Sequence, residues 1–258
     1  LHGIPLGIKD IIDVAGWPTR AGSPLGDHRA AAADAPLVAA LRRAGAILLG
    51  KTVTVEFACF DPSPTRNPWN LDHSPGGSSS GSAAAVALGV CLGAIGTQTG
   101  GSLVRPSTYC GIATCKPTFG LLSTKGIVPV SYHLDHPGPM ARRAGDLGML
   151  LDCLLGVAVR HPARPCEPPR LGVLQKMSPE AADETVRETV QSALERLARA
   201  GAQLLPLAVP QIFGDVMKMH RCIMAVEAAA YHRERFAASR AQYGPKITAL
   251  VDEGLATP

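Results

Sequence analysis

The sequence contains few aromatic residues, which make up 4% of the chain, and it has neither a long apolar run nor a strong excess of charge. The longest uncharged apolar stretch, residues 83–96, is too short to cross a bilayer and is interrupted by Gly89 and Gly93. Lys and Arg number 25 against 21 Asp and Glu, and no basic run or aromatic cluster suits nucleic-acid binding. The first residues lack the basic start and apolar run of a signal peptide. These absences predict a protein that directly binds neither membrane nor nucleic acid.

The cysteine and histidine contents argue against several kinds of site. The seven cysteines are an odd number and form no CxxC pair, which favours reduced thiols in a cytoplasmic protein. The closest cysteines, Cys110 and Cys115, have no matching second pair that would complete a zinc site. The eight histidines form no metal-like cluster. The sequence therefore predicts neither a metal nor any other cofactor.

What the chain does contain is enough apolar material, 46% of the residues, for a sizeable core. Residues 34–50 are predicted to form a helix followed by a strand. Asp34 is expected to cap the helix and Gly45 to end it, and residues 46–49 are expected to form a short buried strand. This order of elements is the first indication of an α/β fold.

The middle of the chain is rich in turn-forming residues. Residues 60–81 have little apolar periodicity and are predicted to form an ordered or functional loop. A small-residue helix is expected from Ser82, and a buried strand over 91–96 leads into a second glycine turn at 97–102. The two turns rich in glycine and serine are the most informative parts of the sequence.

The last third of the chain shows a second strand–helix–strand pattern. Residues 170–174 form a predicted strand, a helix opens at Ser178 and Pro179, and residues 202–207 form the next strand. This order predicts parallel pairing in an α/β arrangement. A further helix is expected over 211–240. No internal repeat is evident. No flexible linker between domains is evident either, and the proline-rich stretch 162–169 is the nearest candidate for one.

Three general interpretations of the first glycine turn are open. Residues 76–81 have the spacing of a phosphate-binding loop, but Ser82 stands where that loop needs lysine. Residues 77–81 also match G-x-S-x-G with Ser79 as nucleophile, although residues 71–75 are not the apolar strand that this motif requires. In the third interpretation both turns are structural and serve close packing alone.

Several ordered blocks give the chain a more specific resemblance. From residue 1 to about residue 152 the sequence resembles the amidase signature family. The matching blocks are Gly-Ile-Pro-Leu-Gly-Ile-Lys-Asp (3–10), Gly-Ala-Ile-Leu-Leu-Gly-Lys-Thr (45–52), Asn-Pro-Trp-Asn (67–70), Pro-Gly-Gly-Ser-Ser-Ser-Gly-Ser-Ala-Ala-Ala-Val (75–86), Gly-Thr-Gln-Thr-Gly-Gly-Ser (96–102), Lys-Pro-Thr (116–118) and Leu-Asp-His-Pro-Gly-Pro-Met (134–140). The resemblance implies an α/β fold with a mixed central β-sheet flanked by helices on both faces.

The resemblance also implies a domain organisation. Residues 1–258 are expected to form a single amidase domain, with a catalytic core over 1–158 and an α/β and helical continuation over 159–258. Family members are longer at both ends, and this chain starts with Leu1 rather than methionine. We therefore expect it to be a piece of a longer protein. A homodimer is the assembly that the resemblance suggests.

A Ser–cis-Ser–Lys triad is the site that the resemblance implies. Lys9 matches the family's catalytic lysine, Ser78 the bridging serine that follows a cis peptide bond, and Ser102 the nucleophile; the spacing of 24 between the two serines agrees with the family's. A serine needs a base to remove its proton, and a lysine is such a base only when it is neutral. Two uncharged serines beside Lys9 supply no carboxylate that would keep it protonated.

The residues around the triad have predicted supporting roles. The backbone N–H groups of Thr99, Gly100 and Gly101 are expected to form the oxyanion hole. Asp10 is expected to order the loop around Lys9, and Asp135 is expected to be structural.

Two departures from the family pattern concern the acyl side of the site. The family often has aspartate at the position of Gln98, and often places an arginine two residues after the nucleophile, whereas Arg105 stands at the third position. This variant resembles the malonamidase-like branch, in which the shifted arginine contacts a substrate carboxylate. We hypothesise that Arg105 binds an acidic or polar group on the acyl portion. The alternative is a structural salt bridge.

The combined sequence evidence predicts an amide hydrolase that acts on carbon–nitrogen bonds of a small linear amide, and that forms an acyl-serine intermediate on Ser102. One alternative is the glutaminase component of glutamyl-tRNA amidotransferase, its A subunit, which has the same triad and works with partner subunits. Gln98 and the displaced Arg105 speak against it. A second alternative is a non-catalytic or truncated family member.

Overall fold

The computed structural model of the chain describes residues 1–158, 167–175 and 182–257. The chain divides into two compact units, one of Leu1–Arg160 with His220–Pro258 and one of His161–Met219. The predicted boundary between residues 158 and 159 lies at the edge of the described residues and stays a prediction. Among the helices of the described part, none is both long enough and apolar enough to span a membrane.

The first unit contains seven strands and most of the helices of the described residues. Its strands are β1 (Pro5–Lys9), β2 (Pro18–Thr19), β3 (Asp27–Ala30), β4 (Ile47–Thr52), β5 (Gly93–Gln98), β6 (Ala113–Thr114) and β7 (His136–Ala141). Its helices are α1 (Pro36–Arg43), α2 (Ser80–Leu88), α3 (Val104–Cys110), α4 (Ala144–Leu155), the part of α6 (Phe213–Ser239) from His220 onward, and α7 (Pro245–Ala256), with short 3-10 turns at Glu56–Ala58 and Arg240–Gln242.

A five-stranded mixed sheet with the order β4-β1-β5-β7-β6 forms the centre of this unit. β1 runs parallel to both β4 and β5, whereas β7 runs antiparallel to β5 and β6. The carboxyl ends of β1 and β5 and the amino end of β7 therefore lie side by side at the same end of the strands. In the register of the strands, Gln98 at the end of β5 pairs with His136 at the start of β7.

Helices cover both faces of this sheet. On β5, Ala94 packs into a cluster with Ala83 and Val86 of α2, and its neighbour Ile95 packs into the larger core that includes Leu147 of α4. Because successive side chains of a strand point to opposite faces, α2 and α4 lie on opposite sides of the sheet. The predicted α/β fold, a mixed sheet flanked by helices, is confirmed.

The predicted helix cap at Asp34 is wrong. Helix α1 has proline at its first position and Ala35 as its N-cap, with no side-chain hydrogen bond at the cap. The Asp34 carboxylate instead accepts the Ala15 N–H at 2.7 Å and pairs with Arg42 at 2.9 Å. Its oxygens are therefore occupied by a neighbouring loop and by the helix's own last turn. Gly45 follows the helix with a φ of +83°, which agrees with its predicted place at the helix end.

The strand after α1 is less buried than its apolar sequence predicts. Ile47 and Leu49 of β4 are 52% and 51% exposed. The cause is the strand order, which places β4 at the edge of the sheet. Further along, the predicted loop, small-residue helix and buried strand are confirmed: α2 begins at Ser80, and every residue of β5 is buried.

The second unit confirms the predicted strand–helix–strand pattern. Its strands β8 (Arg170–Gln175) and β9 (Gln203–Ala208) pair in parallel, and α5 (Glu184–Arg199) connects them. Asp183 caps α5 by accepting the Val186 N–H. The predicted helix start at Ser178 and Pro179 lies outside the described residues, as does most of the proline-rich stretch 162–169. The long predicted helix near the C-terminus is confirmed as α6.

A pair of glycines provides a test of the helix packing. Alanine at Gly254 of α7 would place its Cβ 2.0 Å from the backbone oxygen of Ala225 in α6. Because two backbones would have to separate, we expect Gly254→Ala to lower the free energy of unfolding by roughly 1–3 kcal/mol. Gly148 lies on the exposed face of α4, with no atom within 4 Å of an added Cβ. Gly148→Ala should raise the free energy of unfolding by roughly 0.5–1 kcal/mol. Urea unfolding measures both, and effects of the same sign would contradict this packing.

Candidate active site

The predicted site residues lie around the carboxyl ends of strands β1 and β5. Lys9 is the last residue of β1, and Gln98 is the last residue of β5. Ser78 lies just before α2, and Ser102 lies between β5 and α3. The parallel pairing of β1 with β5 brings these distant segments of the chain together.

Lys9 is fully buried and is held by two hydroxyl groups. Its Nζ donates to Ser78 Oγ at 2.6 Å and to Thr97 Oγ1 at 2.7 Å. Burial lowers the pKa of the Lys9 side chain to about 7, because the charged ammonium loses its hydration; the negative charge of Asp135 acts in the opposite direction. A substantial fraction of Lys9 is therefore neutral near pH 7, as a proton acceptor must be.

Thr97 is the functional partner that the sequence interpretation missed. It lies within β5, is buried, and supplies the second oxygen to Lys9. Thr97 lies inside the matched block of residues 96–102, which points to the site. No local pattern shows which of the two threonines in that block faces β1. The pairing of the strands decides it.

Ser78 sits beside Lys9 in a tightly constrained turn. It is 2% exposed, and the peptide bond between Gly77 and Ser78 is cis. The Ser78 carbonyl accepts the Val55 N–H at 3.3 Å. The hydroxyl of Ser78 is thus the contact that joins this turn to Lys9.

The neighbouring serines hold the turn in place. Ser79 is fully buried, and its Oγ both accepts the Thr97 N–H and donates to the Thr97 carbonyl, each at 3.2 Å. Ser80 Oγ contacts Ser63 Oγ at 2.7 Å, and Ser82 Oγ contacts Thr52 Oγ1 at 2.6 Å. Because the Ser79 hydroxyl is used in both directions by β5, it is poorly placed to act as the nucleophile of a G-x-S-x-G motif.

Ser102 lies next to this turn, but no hydrogen bond joins its hydroxyl to Ser78. Its carbonyl accepts the Ser79 N–H at 3.4 Å, so the two loops are adjacent. Its side chain is only partly buried, and its Oγ has no hydrogen-bond partner among residues 1–158, 167–175 and 182–257. The structure thus joins Lys9 to Ser78 and places the backbone of Ser102 next to the same turn.

The loop of residues 99–102, called the nucleophile loop because it carries the predicted nucleophile Ser102, has unused backbone donors. Within the described part of the chain, the N–H groups of Thr99, Gly100 and Gly101 donate to no acceptor. The loop is anchored instead through a side chain, since Thr99 Oγ1 donates to Asp135. Asp135 also accepts backbone N–H groups at 2.8 and 3.1 Å, and burial raises its pKa. These contacts support the structural role predicted for Asp135.

Gln98 has a clear role at the position where the family often has aspartate. Its Oε1 accepts the N–H groups of Leu103 and Val104, at 2.9 and 3.0 Å, at the start of α3. These donors belong to the first turn of the helix and have no partner within it. A neutral amide oxygen therefore satisfies the helix start directly after Ser102.

Arg105 extends back over the nucleophile loop. Alanine at Gly101 would place its Cβ 3.0 Å from the Arg105 guanidinium. Arg105 is exposed, and it pairs with no carboxylate of the residues that the structure describes. The structural salt bridge considered as an alternative therefore has no partner there.

Asp10, the residue after Lys9, is bound by groups other than Lys9. Lys51 Nζ lies 2.7 Å from the Asp10 carboxylate, and the Asp10 carbonyl accepts the Ala21 N–H at 2.8 Å. The negative charge beside Lys9 in the sequence is thus neutralised by another lysine. Over the described ranges, no group of three or more His, Cys, Asp or Glu is arranged to hold a metal ion.

Comparison with known proteins gives consistent matches. A family model described as Amidase matches residues 1–255. The A subunit of the glutamyl-tRNA(Gln) amidotransferase of Koribacter versatilis is 35% identical over 230 residues, which cover 81% of this chain and 48% of that protein. A crystal structure of an amidase superposes with a TM-score of 0.90 at 32% identity, covering 100% of this chain and 60% of that one. Peptide amidase from Stenotrophomonas maltophilia gives a TM-score of 0.82 at 33% identity, covering 100% and 62%. The chain spans about half the length of the curated relatives it matches.

The lowered pKa of Lys9 predicts a specific pH dependence of stability. Between pH 7 and 10.5 the unfolded chain holds a proton on Lys9 that the folded chain has released, so the contribution of Lys9 to the free energy of unfolding rises with pH. Lys9→Met removes this titration. The difference in unfolding free energy, wild type minus variant, should therefore rise at up to about 1 kcal/mol per pH unit across this window. Denaturant unfolding at several pH values measures it, and a flat difference would contradict the pKa.

Proposed function

Because this chain belongs to the Amidase family, we propose that it hydrolyses a linear amide through an acyl-serine intermediate on Ser102. The observation that carries the proposal is the contact of the fully buried Lys9 amine with Ser78 Oγ at 2.6 Å. A lysine whose pKa is about 7 and whose partners are hydroxyl groups is suited to accept a proton rather than to form an ion pair.

The reaction begins with rotation of the Ser102 hydroxyl towards Ser78. Neutral Lys9 accepts the Ser78 proton, and Ser78 accepts the proton of Ser102 as its oxygen attacks the amide carbon. The carbonyl oxygen becomes an oxyanion, and we propose that it accepts hydrogen bonds from the N–H groups of the nucleophile loop, which have no other acceptor among the described residues. The proton returns along the same path to the leaving nitrogen, and the carbon–nitrogen bond breaks. Water then attacks the acyl-serine and repeats the proton transfers.

Labelling with a fluorophosphonate tests this assignment. In the protein expressed from its complete reading frame, we expect a mass adduct on the peptide that contains Ser102. The adduct should be absent in Lys9→Ala, because the base is lost, and unchanged in Lys125→Ala, which alters an exposed lysine. Peptide mass spectrometry reads both results.

Two outcomes of the labelling would oppose the proposal. An adduct on Ser79 would assign the nucleophile to the G-x-S-x-G motif. The absence of any adduct in a folded wild-type protein would favour a non-catalytic family member.

The substrate is proposed to carry an acidic or polar group on its acyl portion, bound by Arg105. The guanidinium lies over Gly101, near the nucleophile, and has no carboxylate partner among the described residues. Bidentate pairing with a substrate carboxylate would satisfy it.

Substitution of Arg105 tests this specificity. Arg105→Ala should raise KM for carboxylated amides by about tenfold or more, since a charge-assisted hydrogen bond contributes about 1.5–3 kcal/mol. KM for neutral amides of the same length should not change. Arg105→Lys should fall between the two, because it retains the charge and loses the bidentate geometry. Equal increases for both substrates would show that Arg105 serves the fold rather than the acyl group.

A second candidate function is supported by the names of the curated relatives. Those at 35–38% identity over 81% or more of this chain are A subunits of glutamyl-tRNA(Gln) amidotransferase. This function requires partner subunits, so co-purification of a second subunit with tRNA-dependent glutaminase activity would favour it. Hydrolysis of an amide by the isolated protein, without tRNA, would favour the simple amidase.

The same proposal extends to assembly and location. A homodimer remains the proposed assembly, and a small amide the proposed binding partner. The described cysteines are all unpaired, which supports the cytoplasmic location predicted from the cysteine content.

A further inference from the structure

His220 of α6 contacts the backbone of the nucleophile loop. Its Nε2 lies 3.1 Å from the carbonyl oxygen of Thr99, a residue 121 positions away in the sequence. A carbonyl oxygen only accepts hydrogen bonds, so the contact requires the proton of the imidazole on Nε2. The ring also packs on Gly100, where an added Cβ would lie 3.3 Å from His220 Cε1.

This contact fixes the orientation of one peptide group. The bond between Thr99 and Gly100 is trans, so its C=O and its N–H point in opposite directions. With the carbonyl drawn towards α6, the Gly100 N–H faces away from the helix. That N–H donates to no acceptor in the described part of the chain.

A second contact holds the same helix against the site. Glu227 lies seven residues, or two turns, after His220 and therefore on the same side of α6. Its carboxylate accepts hydrogen bonds from Ser131 Oγ and from the His133 N–H, the latter at 3.2 Å. The loop of these two residues leads to Asp135, which binds the Thr99 hydroxyl. Thr99 is thus held through its side chain by Asp135 and through its carbonyl by His220.

We propose that His220 is a positioning residue of the oxyanion hole. Its hydrogen bond to the Thr99 carbonyl turns the Gly100 N–H towards the oxyanion that forms when Ser102 attacks. The inference rests on the proposed amidase function. It adds a residue from α6 that has no hydrogen bond to Lys9, Ser78 or Ser102, and that acts through the peptide group between Thr99 and Gly100.

The rate of fluorophosphonate labelling at Ser102 tests this role without a known substrate, because the phosphonyl oxygen takes the place of the oxyanion. His220→Leu, which cannot donate a hydrogen bond, should slow labelling by about 10- to 100-fold. This loss should not exceed the loss of rate that follows removal of an oxyanion donor. His220→Gln places an amide N–H near the position of Nε2 and should stay within about threefold of the wild type. The melting temperature is recorded for each variant.

A matched control is available in His28. Its Nε2 also lies near a carbonyl oxygen, that of Pro24 at 3.2 Å, but on the exposed strand β3. His28→Leu should leave the labelling rate unchanged. If His220→Leu does not fold, His220→Asn replaces it, because its shorter amide does not reach the Thr99 carbonyl, and slow labelling is again expected.

Hydrolysis of an amide by the same variants gives a second readout. Since the oxyanion forms as Ser102 attacks and is absent from the bound substrate, loss of its alignment should lower kcat and leave KM unchanged. Labelling of His220→Leu at the wild-type rate would overturn the inference while leaving the amidase proposal intact. Equal slowing in the leucine and glutamine variants, at unchanged melting temperature, would overturn it as well. Absence of the Ser102 adduct in the wild type would overturn both proposals.

Discussion

An ammonium group loses its hydration when it is buried, and Lys9 at the end of β1 is fully buried. The surroundings of Lys9 compensate for this burial with the hydroxyl groups of Ser78 and Thr97 rather than with a carboxylate. A carboxylate in ion-pair contact would hold the lysine in its charged form. The arrangement therefore gives Lys9 hydrogen bonds while leaving its pKa low. The other contacts of the site preserve this combination.

The sheet explains how two uncharged partners from distant segments meet at one amine. Parallel pairing of β1 with β5 brings Thr97 to Lys9, and the turn before α2 brings Ser78. Ser79 ties that turn to the backbone of β5. The nearest acidic neighbour in sequence, Asp10, is neutralised by Lys51 of β4. Each of these contacts joins segments that are far apart along the chain, so the site depends on the sheet as a whole.

The sequence predicted the parts of this site that local motifs encode, and missed those that depend on strand order and long-range contacts. The blocks around Lys9, Ser78 and Ser102 were enough to predict the α/β fold and to nominate the site residues. The exposure of Ile47 could not be predicted, because an apolar strand looks the same in sequence at the edge and in the centre of a sheet. His220 could not be predicted either, since its partner lies 121 residues away and no periodicity links the two.

Asp135 is where two requirements of the site conflict: the nucleophile loop needs an anchor, and the pKa of Lys9 must stay low. Its carboxylate anchors the nucleophile loop through Thr99, but its charge also raises the pKa of Lys9. Two backbone N–H groups and the Thr99 hydroxyl bind this carboxylate, while Lys9 binds only hydroxyl groups. Asp135 thus holds the loop without a hydrogen bond to Lys9. Burial therefore lowers the pKa of Lys9 by more than the charge of Asp135 raises it. An acidic group placed directly on Lys9 would hold its amine protonated, and would so remove the proton acceptor that the proposed mechanism requires.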